Sequence, residues 1–375
     1  MNAELLKTRL KRSERVRARQ RELGVEALLL SIGADLPWLT GYEAVPLERP
    51  TVLVFPADDH ATLVVPMLEA PRVDVDERLF SVRAYRETED APGIIADLVG
   101  NRSQLAISNR AWASLLLALE QTIPHATWTN ANAVTSEIRS VKDTREQAAL
   151  KAAGAAADRV ASALLSGEVA LVGRTEAEVS AEISRRLLDE GHATTNFAIV
   201  GSGPNSASPH HEPGQRTIEA GDPVVCDFGG AFRLDGDVGY CSDTTRTVVA
   251  GEPPKEFRDL YAVLEVAQQA ALDAVKPGIA CEEIDRAARH VIEDAGLGKY
   301  FIHRTGHGIG VEEHEDPYIV EGNRQPAVVG NAFSIEPGIY IRDTFGARIE
   351  DIVIVSEDGA VACNASDHGL VIVDA

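Results

Sequence analysis

Residues 222–249 read DPVVCDFGGAFRLDGDVGYCSDTTRTVV. Two β-prone arms, Asp222–Phe228 and Tyr240–Val249, flank a turn-rich middle, so the pattern predicts a hairpin. Each arm carries an aspartate among apolar or β-branched neighbours: Asp227 follows Val224, Val225 and Cys226, and Asp243 precedes Thr244 and Thr245. An uncompensated carboxylate inside such a strand costs several kcal/mol. Either an ion pair, with Arg246 available to Asp243, or a bound cation has to compensate.

The pattern recurs downstream. Residues 332–341, AFSIEPGIYI, and 347–355, ARIEDIVIV, form a second strand pair around a turn at Asp343–Gly346, again with one carboxylate in each arm, Glu336 and Glu350. The aspartates lie 16 residues apart and the glutamates 14, so the hairpins read as halves of an internal pseudo-repeat that offers two carboxylate pairs to one centre. Period-two alternation puts Arg348, Glu350 and Ile352 on one face of the last strand and Asp351 on the other. Helical segments 253–275 and 281–295 lie between the hairpins, followed by TGHGIGVEEHE, in which glycines around His307 permit close backbone approach. Asp227, Asp243, His307, Glu336 and Glu350 together are a ligand set for two adjacent divalent metals, which can make hydroxide at neutral pH. His210, in the loop GSGPNSASPHHEPG, and His314 are further imidazoles for the same centre, as proton donors or carbonyl contacts. The Gly-x-Gly of that loop lacks the third glycine and the strand-turn-helix frame of a phosphate cradle.

The 375 residues leave room for about two domains. Lys and Arg total 36 against 58 Asp and Glu, and the formal charge of −22 argues against a nucleic-acid partner. No apolar run approaches the roughly 18 residues of a membrane span and no signal-peptide core is evident, so no membrane partner and a cytoplasmic location are expected. The four cysteines show no C-x-x-C spacing. Free buried thiols are expected in that compartment, with Cys226 and Cys241 placed to face each other across the first hairpin.

The first 22 residues hold eight basic and three acidic side chains, with Leu6, Leu10, Ser13 and Val16 at helical spacing; they predict an amphipathic helix packed by one stripe. Strand-like runs at 25–31, 51–55, 61–65 and 104–108 alternate with helical stretches at 91–99 and 111–122, which indicates an α/β domain with a structural or oligomeric role. Trp38, Trp112 and Trp128 are expected as packing residues. The polar stretch EIRSVKDT, 137–144, marks a boundary, giving an N-terminal domain 1–140 and a C-terminal domain 145–375 that opens on helices 145–166 and 175–190.

The motifs DFGG, SDTTRT, GHGIG, IEPG and RIED, in this order over residues 150–370, resemble those of the pita-bread metallopeptidases, the family of Xaa-Pro dipeptidases (prolidases), aminopeptidase P and methionine aminopeptidase. The preceding domain is similar to the creatinase-like N-terminal domain of prolidases and aminopeptidase P. The resemblance implies an α/β creatinase-like domain followed by an α+β pita-bread domain with pseudo-twofold αβ halves. It implies two divalent ions per subunit, manganese first and cobalt or zinc as alternatives. Asp227 would bind one ion, His307 and Glu336 the other, and Asp243 with Glu350 would bridge them. A hydroxide between the metals would attack the scissile carbonyl, with Glu336 shuttling the proton and His210 and His314 contacting the substrate. Arg348, Tyr318 and Tyr240 are expected at the substrate.

The implied enzyme is a metal-dependent Xaa-Pro dipeptidase, a homodimer acting on an Xaa-Pro dipeptide or short peptide. An imide bond to proline lacks the N–H on which many proteases rely, whereas a metal pair polarising the carbonyl needs no such donor. The alternative is an aminopeptidase P-type enzyme acting on longer peptides. A creatinase-type amidinohydrolase or a catalytically silent binding protein would share both domains without needing all five ligands. Two positions depart from the family pattern. The turn LDGDV stretches the first hairpin and makes Asp235 and Asp237 rivals of Asp243. Tyr318 stands where some dipeptidases carry an arginine for the product carboxylate, a task expected here of Arg324 or Arg348.

Overall fold

In the computed structural model, which describes residues 3–373, the basic N-terminal stretch is helix α1 (Ala3–Leu23). Its buried stripe runs Leu5, Leu6, Arg9, Arg12, Ser13, Val16 and Gln20, so guanidinium groups stand inside where Leu10 was expected. Buried guanidinium groups need acceptors. Arg9 Nη1 donates to the Thr40 carbonyl at 3.0 Å and Arg12 Nη1 to that of Trp38 at 3.1 Å. Both carbonyls belong to the last turn of α2 (Asp35–Thr40), where helical partners run out.

The chain divides between Arg139 and Ser140. The first unit is built on a six-stranded sheet of β1 (Ala27–Leu30), β2 (Val52–Pro56), β3 (Ala61–Pro66), β4 (Phe80–Tyr85), β5 (Gln104–Ile107) and β6 (Thr127–Asn130), in the order β4-β3-β2-β1-β5-β6. Helices α3 (Ala91–Val99) and α4 (Ala113–Thr122) bury Ile95, Val99 and Leu119 in the core of this sheet, and α5 (Asn132–Ser140) closes the unit. The edge strands β4 and β6 carry mostly half-buried or exposed side chains, so they lack the apolar alternation that betrays the inner four. Trp38 is buried, but Trp112 is 42% exposed and does not serve as a packing residue.

The second unit consists of two αβ halves. In the first, α6 (Thr144–Leu165) and α7 (Glu176–Asp189) cover a sheet of β7 (His192–Ser202), β8 (Pro223–Arg233) and β9 (Gly239–Ala250), to which the C-terminal β17 (Val371–Val373) adds. Both helices start on capping boxes, Asp143 with Glu146 and Thr175 with Glu178, which satisfy otherwise orphaned N–H groups. In the second half, α8 (Lys255–Ala274) and α9 (Cys281–Asp294) share a core with the sheet containing β10 (Gly306–Gly308), β11 (Glu315–Ile319), β12 (Ala332–Ile335), β15 (Asp351–Ser356) and β16 (Gly359–Ala362). A separate ribbon pairs β13 (Gly338–Ile341) with β14 (Phe345–Arg348).

The two expected hairpins therefore differ. The first is one uninterrupted ladder from Pro223↔Val249 to Arg233↔Gly239. Both arms of the second change sheets, between β12 and β13 at Glu336 and between β14 and β15 at Glu350. Cys226 lies opposite Arg246 and Cys241 opposite Ala231, so these two thiols do not face each other; all four cysteines are free and buried. Among the described residues no helix is long and apolar enough to cross a membrane.

A mid-helix glycine in α6 has a packing reason. A Cβ on Gly154 would lie 2.5 Å from the Cys363 carbonyl oxygen and 2.9 Å from its carbon. Gly-to-Ala in a helix ordinarily stabilises by about 0.5–1 kcal/mol, but overpacking against backbone costs about 1–3 kcal/mol. Gly154→Ala is thus expected to lose about 1–2 kcal/mol net in urea unfolding, and a gain would show that α6 can move off the backbone at Cys363.

Candidate active site

Asp227 and Asp243 stand on neighbouring strands of the first hairpin. The register pairs Gly229 with Asp243 and Asp227 with Thr245, so the two aspartates and Thr245 share one face in a diagonal arrangement. Residues of opposite parity on β9 point away. Tyr240, expected at the substrate, is buried on that other face and donates from its hydroxyl to Glu146 Oε1 at 2.8 Å; it does not line the cleft. Arg246 is not the partner of Asp243: it pairs with Asp351 Oδ1 at 2.7 Å and donates to the Glu350 carbonyl at 2.8 Å. Asp351 faces away from the centre, as alternation requires. The rivals Asp235 and Asp237 both meet Arg145 on α6, at 3.7 and 3.4 Å.

The second hairpin delivers its carboxylates at its breaks. The Glu336 amide donates to the Thr305 carbonyl at 2.7 Å and the Glu350 amide to that of Thr245 at 3.2 Å. Ser334 Oγ donates to Glu336 Oε1 at 3.0 Å, and Thr245 Oγ1 to Glu350 Oε2 at 2.6 Å. His307 sits on β10 between glycines that nothing larger can replace: a Cβ at Gly306 would fall 1.9 Å from the Ser334 carbonyl oxygen, and one at Gly308 2.3 Å from that of Asp316. The squeezed strand places the His307 imidazole among the carboxylates, with Nε2 at 3.2 Å from Glu336 Oε1 and 3.6 Å from Asp243 Oδ2.

Three groups of donor atoms result, each lying within 4.8 Å: Asp227 with Asp243 and Glu350, His307 with Glu336 and Glu350, and Asp243 with His307 and His314. Burial, reinforced by the neighbouring His314, pushes His307 down to about 3. Its Nδ1 meets the Gly308 carbonyl at 3.1 Å, so Nδ1 carries the proton and Nε2 turns a lone pair toward the carboxylates. Burial also raises Glu336 to about 7, and burial plus the neighbouring carboxylates hold Asp243 and Glu350 well above their ordinary range. Arg348 is the buried cation here: Nη2 donates to Asp227 Oδ2 at 2.5 Å, Nε to Thr245 Oγ1 at 3.0 Å and Nη1 to the Tyr340 hydroxyl at 2.8 Å. One guanidinium cannot balance four carboxylates. Asp227 Oδ1 is buried without a hydrogen-bond partner, and the His307 lone pair meets only acceptors. Divalent cations satisfy both, and an oxygen-rich set with one imidazole is chemically suited to them.

The centre opens into a cleft of about 690 Å³, lined also by His210, His314, His303, Arg304, Phe197 and Ile199. His210 is carried by a loop that the fully buried Glu176 pins from below. Glu176 accepts from the Ser202 amide and hydroxyl, from Asn205 Nδ2, and from His211 Nε2 at 2.7 Å. The His314 ring centroid lies 3.9 Å from that of His307. Arg324, expected near the substrate, is 87% exposed and sits 3.6 Å from Glu282, outside the cleft wall. Tyr318 is not part of that wall either; its ring lies against Arg304, whose guanidinium carbon is 4.6 Å from the ring centroid. The sequence reading missed His303, Arg304, Phe197 and Ile199. The available signals were the basic pair directly before TGHG and the period-two spacing of Phe197 and Ile199.

Comparison with known proteins agrees with this geometry. Residues 148–357 match the model of metallopeptidase family M24, and residues 12–141 that of the creatinase/prolidase N-terminal domain. The chain is 42% identical over 356 residues to the probable dipeptidase PepE of Mycobacterium tuberculosis, covering 94% of this chain and 93% of that protein. It is 36% identical over 349 residues to the Xaa-Pro dipeptidase of Lactobacillus helveticus, covering 90% and 92%. The crystal structure of dipeptidase PepE from Mycobacterium ulcerans superposes with a TM-score of 0.91 at 41% identity, covering 98% of each chain.

Proposed function

We propose that this chain, which belongs to metallopeptidase family M24 and couples a creatinase-like N-terminal domain to a pita-bread domain, is a metal-dependent Xaa-Pro dipeptidase. The observation that carries the reading is the convergence of four carboxylates and one imidazole on a single cleft. Its domains are residues 1–140 and 145–375. Asp227 would hold one divalent ion, His307 and Glu336 would hold the other, and Asp243 and Glu350 would serve both; Asp243 and Glu350, like His307, each belong to two of the three donor groups, and Asp227 shares its group with just these two carboxylates. When bound, the ions supply a nucleophilic water at neutral pH and polarise the scissile carbonyl.

The chain's own residues do the rest. Glu336 has Oε1 held by Ser334, leaving Oε2 to take the proton of the attacking water and return it to the departing proline nitrogen. His210 and His314 stand on the cleft wall, where they donate to the substrate carbonyl as negative charge develops. Arg348 fixes the Asp227 carboxylate and, through Thr245, steadies Glu350. Manganese is the proposed metal, because the donor set is rich in carboxylate oxygen. Four free cysteines fit a reducing cytoplasm, and a homodimer follows the family pattern.

The test compares Leu-Pro with Leu-Pro-Gly at equal concentration, using the manganese-loaded protein. A dipeptidase cleaves Leu-Pro at least about tenfold better in kcat/KM. The reverse preference would make it an aminopeptidase P-type enzyme, and cleavage of neither would remove the peptidase reading.

A further inference from the structure

Within the peptidase reading, on which this inference rests, we propose that Arg304 receives the C-terminal carboxylate of a dipeptide substrate and thereby sets the preference for dipeptides over longer peptides. A dipeptide ending in proline differs from a longer peptide in one respect at this position: it presents a carboxylate where the longer chain presents a neutral amide. A site that selects the shorter substrate needs a permanent cation on the cleft wall that is not already neutralised by an acid.

The two arginines of the wall differ in just this way. Arg348 is buried, salt-bridged to Asp227 and further hydrogen-bonded to Thr245 and Tyr340; its charge is spent on the metal-binding carboxylates. Arg304 has no acidic partner among the described residues. Glu313 lines the same cleft but makes no ion pair with it. The contacts of Arg304 are with neutral groups: the Tyr318 ring at 4.6 Å, and His314 Nδ1 at 3.3 Å from Nη2. An aromatic face holds a guanidinium plane without cancelling its charge. The fork has five N–H donors and one is used, which leaves a side free for bidentate contact with a carboxylate.

Its depth is also suitable. His314 stands beside His307, and Arg304 stands beside His314, so the guanidinium lies one side chain beyond the carboxylate cluster. An extended residue spans at most about 3.5 Å, which places the terminal carboxylate of a substrate held at the cluster in that next shell. Tyr318 thereby acquires a role of its own, as the platform that positions Arg304 rather than as a direct substrate contact.

Kinetics and binding test this together. Wild-type and Arg304→Met proteins, both manganese-loaded, are compared on Leu-Pro, Leu-Pro amide and Leu-Pro-Gly. Calorimetric titration uses a Leu-Pro analogue whose scissile carbonyl is reduced to methylene, and the amide of that analogue. Arg304→Met is expected to lose about 30–100-fold in kcat/KM on Leu-Pro, mainly through KM, and to change by less than about threefold on the two substrates without a carboxylate at that position. The reduced acid loses affinity by a similar factor and its amide does not. Arg304→Lys recovers part of the loss, because charge remains while the fork does not. Equal losses on acid and amide, or none on the acid, overturn the proposal while leaving the peptidase reading intact. A wild-type protein that binds neither analogue and cleaves no Xaa-Pro substrate overturns both.

Discussion

Replacing Glu350 by alanine is expected to empty both metal positions and to lower kcat/KM on Leu-Pro by at least about 10⁴-fold. Glu350 contributes to two of the three donor groups, once with Asp227 and Asp243 and once with His307 and Glu336, so its loss breaks both. Metal analysis of the dialysed protein reads this directly: about two ions per chain in the wild type and none in the variant. The fold itself is not expected to suffer. The alanine removes a hydrogen bond from Thr245 but also relieves a buried carboxylate that its neighbours repel. The melting temperature of metal-free Glu350→Ala therefore stays at or above that of metal-free wild type. The control is Asp237→Ala, which removes contacts that lie outside the cleft wall, among them those with Arg145 at 3.4 Å and with the Val238 amide at 2.8 Å; it keeps both ions and activity within about threefold. If Asp237→Ala loses metal and Glu350→Ala does not, the centre has been misplaced.

Removing the ions should have the second large effect. Chelation is expected to abolish hydrolysis of Leu-Pro and manganese to restore it. Stability should follow, since four buried carboxylates faced by one guanidinium repel one another in the metal-free protein. An ion that binds only the folded state at 1,000 times its Kd contributes about 4 kcal/mol, roughly 8–16 °C in Tm for a unit of this size. Differential scanning calorimetry with and without manganese measures it. Activity and Tm both indifferent to chelator would remove the metal mechanism.

The parts of this site legible in sequence were those where a polar residue violates its surroundings. Asp227 within VVCDFGG is costly unless something compensates, and the glycines around His307 mark a close backbone approach; both are visible in one dimension. What could not be read was set by partners distant in sequence. Arg246 is spoken for by Asp351, and Asp237 by Arg145, pairings that no local pattern contains. Tyr240 was misassigned although strand parity would have excluded it, because motif order was weighed above the face on which it stands. For Arg304 the local signal is weak: the basic pair His303-Arg304 directly before TGHG places it near the site, but only the absence of an acidic partner among the described residues sets its charge apart. The edge strands β4 and β6 escaped because half-exposed strands carry little apolar alternation.

The uninterrupted ladder of the first hairpin has a consequence for how such chains diversify. Asp227 and Asp243 share a face because paired positions across β8 and β9 keep a fixed register. One residue added to each arm at the turn lengthens the ribbon and leaves every existing pair, and hence both side-chain directions, unchanged. A single added residue either has to be absorbed by the turn or shifts one arm, and a shift turns its aspartate toward α6. Insertions and deletions between these two aspartates should accordingly accumulate in even steps among relatives. The tip at Leu234–Val238 becomes a natural place to graft a sequence, provided that its length obeys the same parity.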